Sequence, residues 1–210
     1  MTTKDDILRW ISALQSTYNE NKAYLTQLDS AIGDADHGIN MDRGFTTVKA
    51  DLEKNPLQDI GAMLKTVAMT LIRTVGGASG PLYGTFFLRA STICPGKTEI
   101  DAAEVVQIFE AGLEGILQRG KARVEDKTIV DALTPAVNAM KQALQAGSDL
   151  NAILQKGAKA AEQGMKATIP LQARKGRASY LGERSIGHQD PGATSAYLLI
   201  KTASEILGKS

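Results

Sequence analysis

The chain has 210 residues, of which 43% are hydrophobic and 22% are charged, a composition typical of one large domain with its own core. Lys and Arg (24) nearly balance Asp and Glu (23), and the formal net charge of +1 gives no global electrostatic reason to expect a nucleic-acid or membrane partner. Cys94 is the only cysteine, which excludes an internal disulfide and a paired-cysteine metal site.

The N-terminal residues carry no targeting pattern. A signal peptide has a basic stretch followed by an apolar one, and residues 1–6 have neither. No run approaches the roughly 18 apolar residues of a membrane span. We therefore expect a cytoplasmic protein.

Apolar residues recur with the three-and-four spacing of an α-helix along most of the chain. The stripes cover residues 7–18, 60–75, 102–117, 129–140, 153–165 and 196–207, and two further helices are predicted over 41–52 and 82–90. Strict period-two alternation is absent from the sequence, so a sheet is not expected.

About eight helices with short connections predict an all-α fold, an antiparallel barrel or bundle that forms a single domain over residues 1–210. Alternate loops then collect at the same end, and we expect the loops near Asp34, Gly120 and Asp190 to converge. One connection, residues 170–192, is long and rich in Arg and Gly, and it precedes the last helix. Connections of this kind are typical of lids and binding loops.

Three carboxylates, Asp29, Asp34 and Asp36, lie within eight residues. A divalent cation such as Mg²⁺ removes the repulsion between them and prefers such oxygen ligands. The alternative is a helix-capping turn, with Asp36 as the N-cap. An EF-hand that begins at Asp34 is excluded, because its sixth position would be Ile39 and not glycine.

A small-residue turn, residues 76–80, follows one predicted helix and precedes Pro81. Such a turn exposes main-chain N–H groups that bind phosphate, although the turn taken by itself favours a simple helix C-cap with tight helix crossing. The run Gly96-Lys97-Thr98 is not a P-loop, because Ser91 occupies the position of the first glycine and no strand precedes it.

The basic segment, which we define as residues 170–192, carries several cations ahead of an Asp-Pro-Gly turn. They are Arg174, Lys175, Arg177 and Arg184. Arginine suits bidentate contact with phosphate, whereas the alternative is a solvated basic loop. Asp190 is predicted to cap the last helix.

Together these runs resemble one family, the L subunit (DhaL) of bacterial dihydroxyacetone kinase. The resemblance rests on Asp29-Ser-Ala-Ile-Gly-Asp-Ala-Asp-His-Gly-Ile-Asn-Met, Gly76-Gly-Ala-Ser-Gly-Pro-Leu-Tyr-Gly-Thr, Gly120 with Lys127-Thr128, and the run from Gln172 to Ala193. It spans nearly the whole chain and implies a barrel of eight antiparallel helices that binds ADP at one end.

The resemblance also implies a set of ligands. Asp29, Asp34 and Asp36 would bind two Mg²⁺ ions that bridge to the diphosphate of tightly bound ADP or ATP. The residues implied around the nucleotide are His37, Gly38, Ile39, Asn40, Ala78, Ser79, Gly120, Ile129, Arg177, Asp190, Pro191 and Gly192. No residue of this chain is implied as a nucleophile or a general base.

The implied activity is phosphoenolpyruvate-dependent and needs partner subunits. A phosphohistidine of DhaM would convert the bound ADP to ATP, which would phosphorylate dihydroxyacetone held on DhaK to give dihydroxyacetone phosphate. Two alternatives stay open: a nucleotide-exchanging, ATP-dependent kinase module, and a regulatory subunit that binds a transcription factor. Neither nucleic acid nor a membrane is an expected partner of this chain itself.

Overall fold

The computed structural model describes residues 1–54 and 57–209, and within them the predicted all-α fold is confirmed. The predicted domain, 1–210, also includes residues 55, 56 and 210, which lie outside the described residues. The described α-helices are α1 (Lys4–Glu20), α2 (Lys22–Ile32), α3 (His37–Lys54), α4 (Ile60–Thr74), α5 (Ser79–Ser91), α6 (Ala102–Gly120), α7 (Ile129–Gln145), α8 (Leu150–Ala167) and α9 (Pro191–Ile206).

Side-chain caps set where most of these helices begin. Thr3, Asp101 and Thr128 each form a reciprocal capping box with the third helical residue of α1, α6 and α7. Asp59 and Asp149 accept N–H groups at the starts of α4 and α8. Each cap provides an acceptor for an N–H group that has no partner inside its helix.

The helices pack as a closed series of neighbours. From α3 to α9 each helix packs on the next, and α9 also packs on α1, which in turn packs on α3. Short connections reverse the chain direction between neighbours. This arrangement is compatible with the predicted antiparallel barrel or bundle.

The helix α2 is additional to the eight predicted helices. Only Asn21 separates it from α1, and it packs on α3 and α9. Its buried stripe is Leu25, Asp29 and Ile32, so a carboxylate lies in the middle of its inward face. Hydrophobic periodicity did not reveal this helix, because that carboxylate interrupts the apolar pattern.

Aromatic rings fill the centre of the core. The ring centroid of Trp10 lies 5.6 Å from that of Phe109 and 6.0 Å from that of Phe87, and the tilted rings of Tyr18 and Phe45 lie 4.7 Å apart. All five side chains are essentially excluded from solvent. Helices from both halves of the sequence therefore share one core, which holds the ends of the helices in fixed positions.

Two short strands complete the described structure. β1 (Thr2–Thr3) pairs antiparallel with β2 (Glu99–Ile100), and this pairing ties the N-terminus to the segment before α6. Within the described residues, none of the helices combines the length and the apolar character that a membrane span requires.

Candidate functional site

A cavity of about 400 Å³ opens where several loops meet at one end of the helices. The loops near Asp34, Gly120 and Asp190 all line it, which confirms their predicted convergence. The residues predicted from the sequence that line this cavity are Asp29, Asp34, Asp36, His37, Asn40, Ala78, Ser79, Gly120, Ile129, Arg177, Asp190, Pro191 and Gly192.

The three aspartates form one cluster on the cavity wall. Each offers a carboxylate oxygen, and these atoms lie within 4.8 Å of one another. Asp29 is buried and Asp34 is exposed, so the cluster runs from the protein interior to the mouth of the cavity. Three oxygen donors at this spacing, open to solvent on one side, fit a hard cation such as Mg²⁺ that keeps water or phosphate ligands.

Asp29 also caps the helix that follows the cluster. Its Oδ2 atom accepts the N–H groups of Asp36 at 2.9 Å and His37 at 3.1 Å. The predicted capping function therefore exists at this turn, but Asp29 of α2 performs it for α3. A Cβ atom on Gly33 would lie 2.0 Å from Asp29 Oδ1, so only glycine leaves room for this carboxylate.

The small-residue turn places the start of α5 at the cavity. Gly77 adopts a left-handed φ of +62°, and α5 begins at Ser79 with Ala78 as its N-cap. No side chain caps this helix start. The N–H groups of Ser79 and Gly80 thus remain available, with the positive end of the helix dipole, to an anion in the cavity.

His37 links the cavity to a buried polar network. Its Nε2 atom lies 2.9 Å from Ser195 Oγ, and its Nδ1 atom lies 3.1 Å from Ser79 Oγ. Tyr83 donates its hydroxyl hydrogen to Ser195 Oγ at 2.7 Å, and Ser195 donates to the Gly192 carbonyl. A neutral imidazole with its hydrogen on Nε2 satisfies all of these contacts, because Nδ1 then accepts from Ser79.

Burial is the main influence on the His37 imidazole. It lowers the pKa of His37, although the carboxylates of Asp29 and Asp36 oppose the shift. Desolvation disfavours the charged form of a buried imidazole. The network beneath the cavity therefore holds His37 as a neutral, oriented ring.

Arg177 brings a cation to the mouth of the aspartate cluster. Its Nη2 atom lies 3.0 Å from Asp34 Oδ2. The basic segment around it is partly ordered into 3₁₀ turns at Arg177–Ser185, interrupted at Gly182. Apolar contacts of Ala173 and Ala178 with Ile32 seat the segment against the end of α2. Lys175 also lines the cavity.

Asp190 caps the last helix, as predicted. Its Oδ2 atom accepts the N–H of Ala193 at 2.7 Å. Burial raises the pKa of the Asp190 carboxyl to about 7, and the N–H of Ala193 opposes that shift. This cap fixes the Asp190-Pro191-Gly192 turn against the cavity.

Apolar side chains make up much of the remaining cavity lining, to which Arg119 also contributes. They include Leu82, Ile116 and Ile129, together with Ala122 and Val130. One cavity therefore combines an acidic and N–H-rich side with a hydrocarbon side. This division suits a ligand that has charged groups at one end and a flat apolar ring at the other.

Two residues implied by the resemblance do not line this cavity. Gly38 packs against α2, where a Cβ atom would lie 2.1 Å from the carbonyl oxygen of Lys22. Ile39 is 44% exposed on the first turn of α3. Their place around a nucleotide stays a prediction.

Sequence reasoning missed the role of Lys127. Although it belongs to one of the motifs, it was not singled out as a site residue. It lines the cavity and is only 1% exposed. Its Nζ atom donates to the carbonyls of Thr168, Leu171 and Ser185 at 2.7–2.9 Å. No local pattern signals a lysine that binds main-chain carbonyls distant in sequence.

Comparison with known proteins finds relatives that match this chain over nearly the whole length of both proteins. The chain is 44% identical over 199 residues to the PEP-dependent dihydroxyacetone kinase ADP-binding subunit DhaL of Escherichia coli K12, covering 95% of each chain. It is 49% identical over 197 residues to the subunit of that name from kinase 1 of Listeria innocua, covering 93% of each. Identity to the PTS-dependent kinase's ADP-binding subunit DhaL of Lactococcus lactis is 42%, covering 99% of this chain and all of that one.

Solved structures show the same fold. The native dihydroxyacetone kinase of C. freundii superposes with a TM-score of 0.73 at 24% identity, covering 95% of this chain and 34% of that one. Its complex with AMP-PNP and Mg²⁺ gives a TM-score of 0.72. This chain thus spans about a third of that kinase. The family model of the DAK2 domain matches residues 31–205, and the chain belongs to the DAK2 domain family.

Proposed function

We propose that this chain is the ADP-binding subunit of a phosphoenolpyruvate-dependent dihydroxyacetone kinase, with phosphotransferase activity only alongside partner subunits. The observation that carries the proposal is the aspartate cluster, which shares one cavity with the uncapped start of α5 and with Arg177. Identity of 42–49% to DhaL subunits over nearly their full length supports it.

Asp29, Asp34 and Asp36 are the residues that would hold Mg²⁺, with two ions expected. ADP held there would accept a phosphoryl group from a phosphohistidine of DhaM, and the ATP formed would supply its γ-phosphoryl group to dihydroxyacetone on DhaK. The buried carboxylate of Asp29 contributes a ligand whose position is fixed by its two N–H partners. A fixed ligand reduces the reorganisation that metal binding requires.

The phosphates would lie between the start of α5 and Arg177. The N–H groups at Ser79 are directed by the helix, and the Ser79 hydroxyl is oriented by its contact with the neutral His37 ring. Arg177, now paired with Asp34, would turn to a phosphate oxygen once cations neutralise that carboxylate. These groups orient and neutralise a phosphoryl group, which is the main task in phosphoryl transfer.

The adenine ring would occupy the apolar wall beside Ile129. Leu82 and Ile116 extend that wall, and Gly120 closes its edge at the end of α6. Burial of a flat ring against aliphatic side chains is favourable and requires no buried charge.

The proposed partners of this chain are DhaK and DhaM, and a transcriptional regulator is a further proposed partner. We propose that these proteins interact in the cytoplasm.

The experiment that tests the function compares phosphate donors. The purified chain is mixed with DhaK, DhaM and the general phosphotransferase proteins, and dihydroxyacetone phosphate is measured with phosphoenolpyruvate or with ATP as donor. We expect formation from phosphoenolpyruvate with only catalytic amounts of ADP. Turnover driven by free ATP and independent of DhaM would favour the nucleotide-exchanging kinase, and the absence of product with either donor would reject both.

The aspartate cluster predicts a metal-dependent nucleotide affinity. Asp34→Ala or Asp36→Ala should weaken ADP binding by about 100-fold or more, since lesser changes around metal ligands already cost about 10- to 100-fold. Asp5→Ala, at an exposed carboxylate of α1, is the matched control. Calorimetric titration with ADP and Mg²⁺ measures the effect. Unchanged affinity in both cluster variants would remove the metal assignment.

Arg177→Ala separates function from stability. The side chain is two-thirds exposed and its single ion pair is at the surface, so the free energy of unfolding should change by less than about 0.5 kcal/mol. Phosphoryl transfer should fall by about 100-fold, the size seen when one positioned donor is removed. Arg174→Ala, on the same segment, is the control. An unchanged transfer rate in Arg177→Ala would contradict the proposed role.

A further inference from the structure

Lys127 occupies a strained and well-supported position in the connection between α6 and α7. Its backbone is left-handed, with φ of +62°, and that of Glu125 is too, with φ of +74°. Asp131 holds this turn, because its carboxylate accepts the N–H of Glu125 at 2.5 Å and that of Thr128 at 2.7 Å. A non-glycine residue keeps such a conformation only when its surroundings compensate for the strain.

The ammonium group joins two parts of the chain that are far apart in sequence. Its Nζ atom donates to the carbonyls of Thr168 and Leu171, each at 2.9 Å, and to that of Ser185 at 2.7 Å. Thr168 and Leu171 lie where the basic segment leaves α8, and Ser185 ends its 3₁₀ turns. Lys127 therefore joins the start and the end of a loop, and we call this junction of Thr168, Leu171 and Ser185 the neck of the loop.

This bonding leaves the ammonium no hydrogen for a ligand. A lysine carries three N–H donors, and the three carbonyls at 2.7–2.9 Å use them all, while the carbonyl of Ile169 lies further away at 3.5 Å. Although Lys127 lines the cavity, it is thus unable to contact a phosphate without giving up one of these bonds. Its position argues for an indirect role.

Packing alone does not account for a charge at this place. A buried ammonium is costly unless it is fully hydrogen-bonded, and a Met side chain would fill much the same space without that cost. The charge is offset here by carbonyl groups, with the carboxyl of Asp190 also nearby. The reason for the charge must therefore lie in the part of the chain to which the three carbonyls belong.

The loop closed by Lys127 carries Arg177. Other contacts support the same loop: Ser185 Oγ accepts the N–H of Ala173 at 2.9 Å, the carbonyl of Asp126 accepts the N–H of Arg174 at 3.1 Å, and the carbonyl of Ile169 accepts the N–H of Gly187 at 2.8 Å. Asp126 directly precedes Lys127. The turn that carries Lys127 therefore also binds the residues that lead to Arg177. From there Arg177 reaches Asp34.

We propose that Lys127 is a positioning residue, whose ammonium ties Leu171, at the start of the basic segment, to Ser185, at the end of its 3₁₀ turns, and so holds Arg177 over the aspartate cluster. Arg177 held in this way would slow the release of bound nucleotide, and this consequence rests on the proposed function. The anchoring of the segment does not rest on it and can be measured separately.

The first measurement is hydrogen exchange of the full chain, stripped of metal and nucleotide with EDTA. It compares the wild type with Lys127→Met, Lys127→Arg and the control Lys166→Met, which removes an exposed lysine of α8 and matches the charge change. We expect Lys127→Met to speed exchange in residues 171–185 by about tenfold or more, as loss of hydrogen bonds from a charged donor implies. Lys166→Met should match the wild type.

Exchange equal to that of Lys166→Met would overturn the proposal, and so would an equal increase in every helix, which indicates general destabilisation. If Lys127→Met does not fold, Lys127→Arg decides. Its guanidinium keeps the charge but does not reproduce three tetrahedral N–H directions, so we expect an increase confined to residues 171–185. No increase in that variant would contradict the anchoring.

The second measurement is the release of bound ADP, in the presence of Mg²⁺, on a chase with excess ATP. Lys127→Met should release ADP about tenfold faster or more. The double variant Lys127→Met/Arg177→Ala should release it no faster than Arg177→Ala alone, because both changes remove one effect. Additive effects would overturn the link to Arg177. A wild-type chain that binds no ADP would contradict the proposed function, and the exchange result would still decide the anchoring.

Discussion

Mutual repulsion among three carboxylates is the constraint on which the cavity depends. Their oxygens lie within 4.8 Å of one another, partly out of reach of solvent. Such a cluster is costly unless positive charge surrounds it. The neighbouring groups supply that charge in small amounts: two N–H groups bind Asp29, and a guanidinium meets Asp34. A divalent cation held by these carboxylates would neutralise what remains, in the same cavity as the uncapped start of α5.

Different interactions hold the helices and the loops of the site in position. The scaffold fixes the helix ends through one shared aromatic core, and the Asp190 cap and the capping box of Thr128 with Asp131 then fix the loops on those ends. The segment that carries Arg177 is held differently, by the ammonium of Lys127 and by a small apolar cluster at Ile32. Few buried contacts hold its tip, where Tyr180 is 87% exposed. A segment fastened at its neck and exposed at its tip can yield to a partner without disturbing the core.

Periodicity and motif order predicted most of this fold and much of the site, for identifiable reasons. Apolar stripes in α4 or α6 are long and uninterrupted, so their helices were evident. The helix α2 was missed because Asp29 lies on its buried face. Likewise, residues 29, 34 and 36 are close in sequence and stay close in space. The bonds of Lys127 join residues about 40 to 60 positions apart, and only the tertiary structure brings these together.

Native mass spectrometry of the gently purified full chain, before and after chelation of divalent metal, tests the central claim most directly. We predict a mass increase equal to one ADP with Mg²⁺ bound, and loss of that increase once EDTA removes the metal. A chain that carries no nucleotide under gentle conditions would contradict resident ADP. A nucleotide that stays bound after complete removal of the metal would contradict the aspartate cluster as the group that holds it.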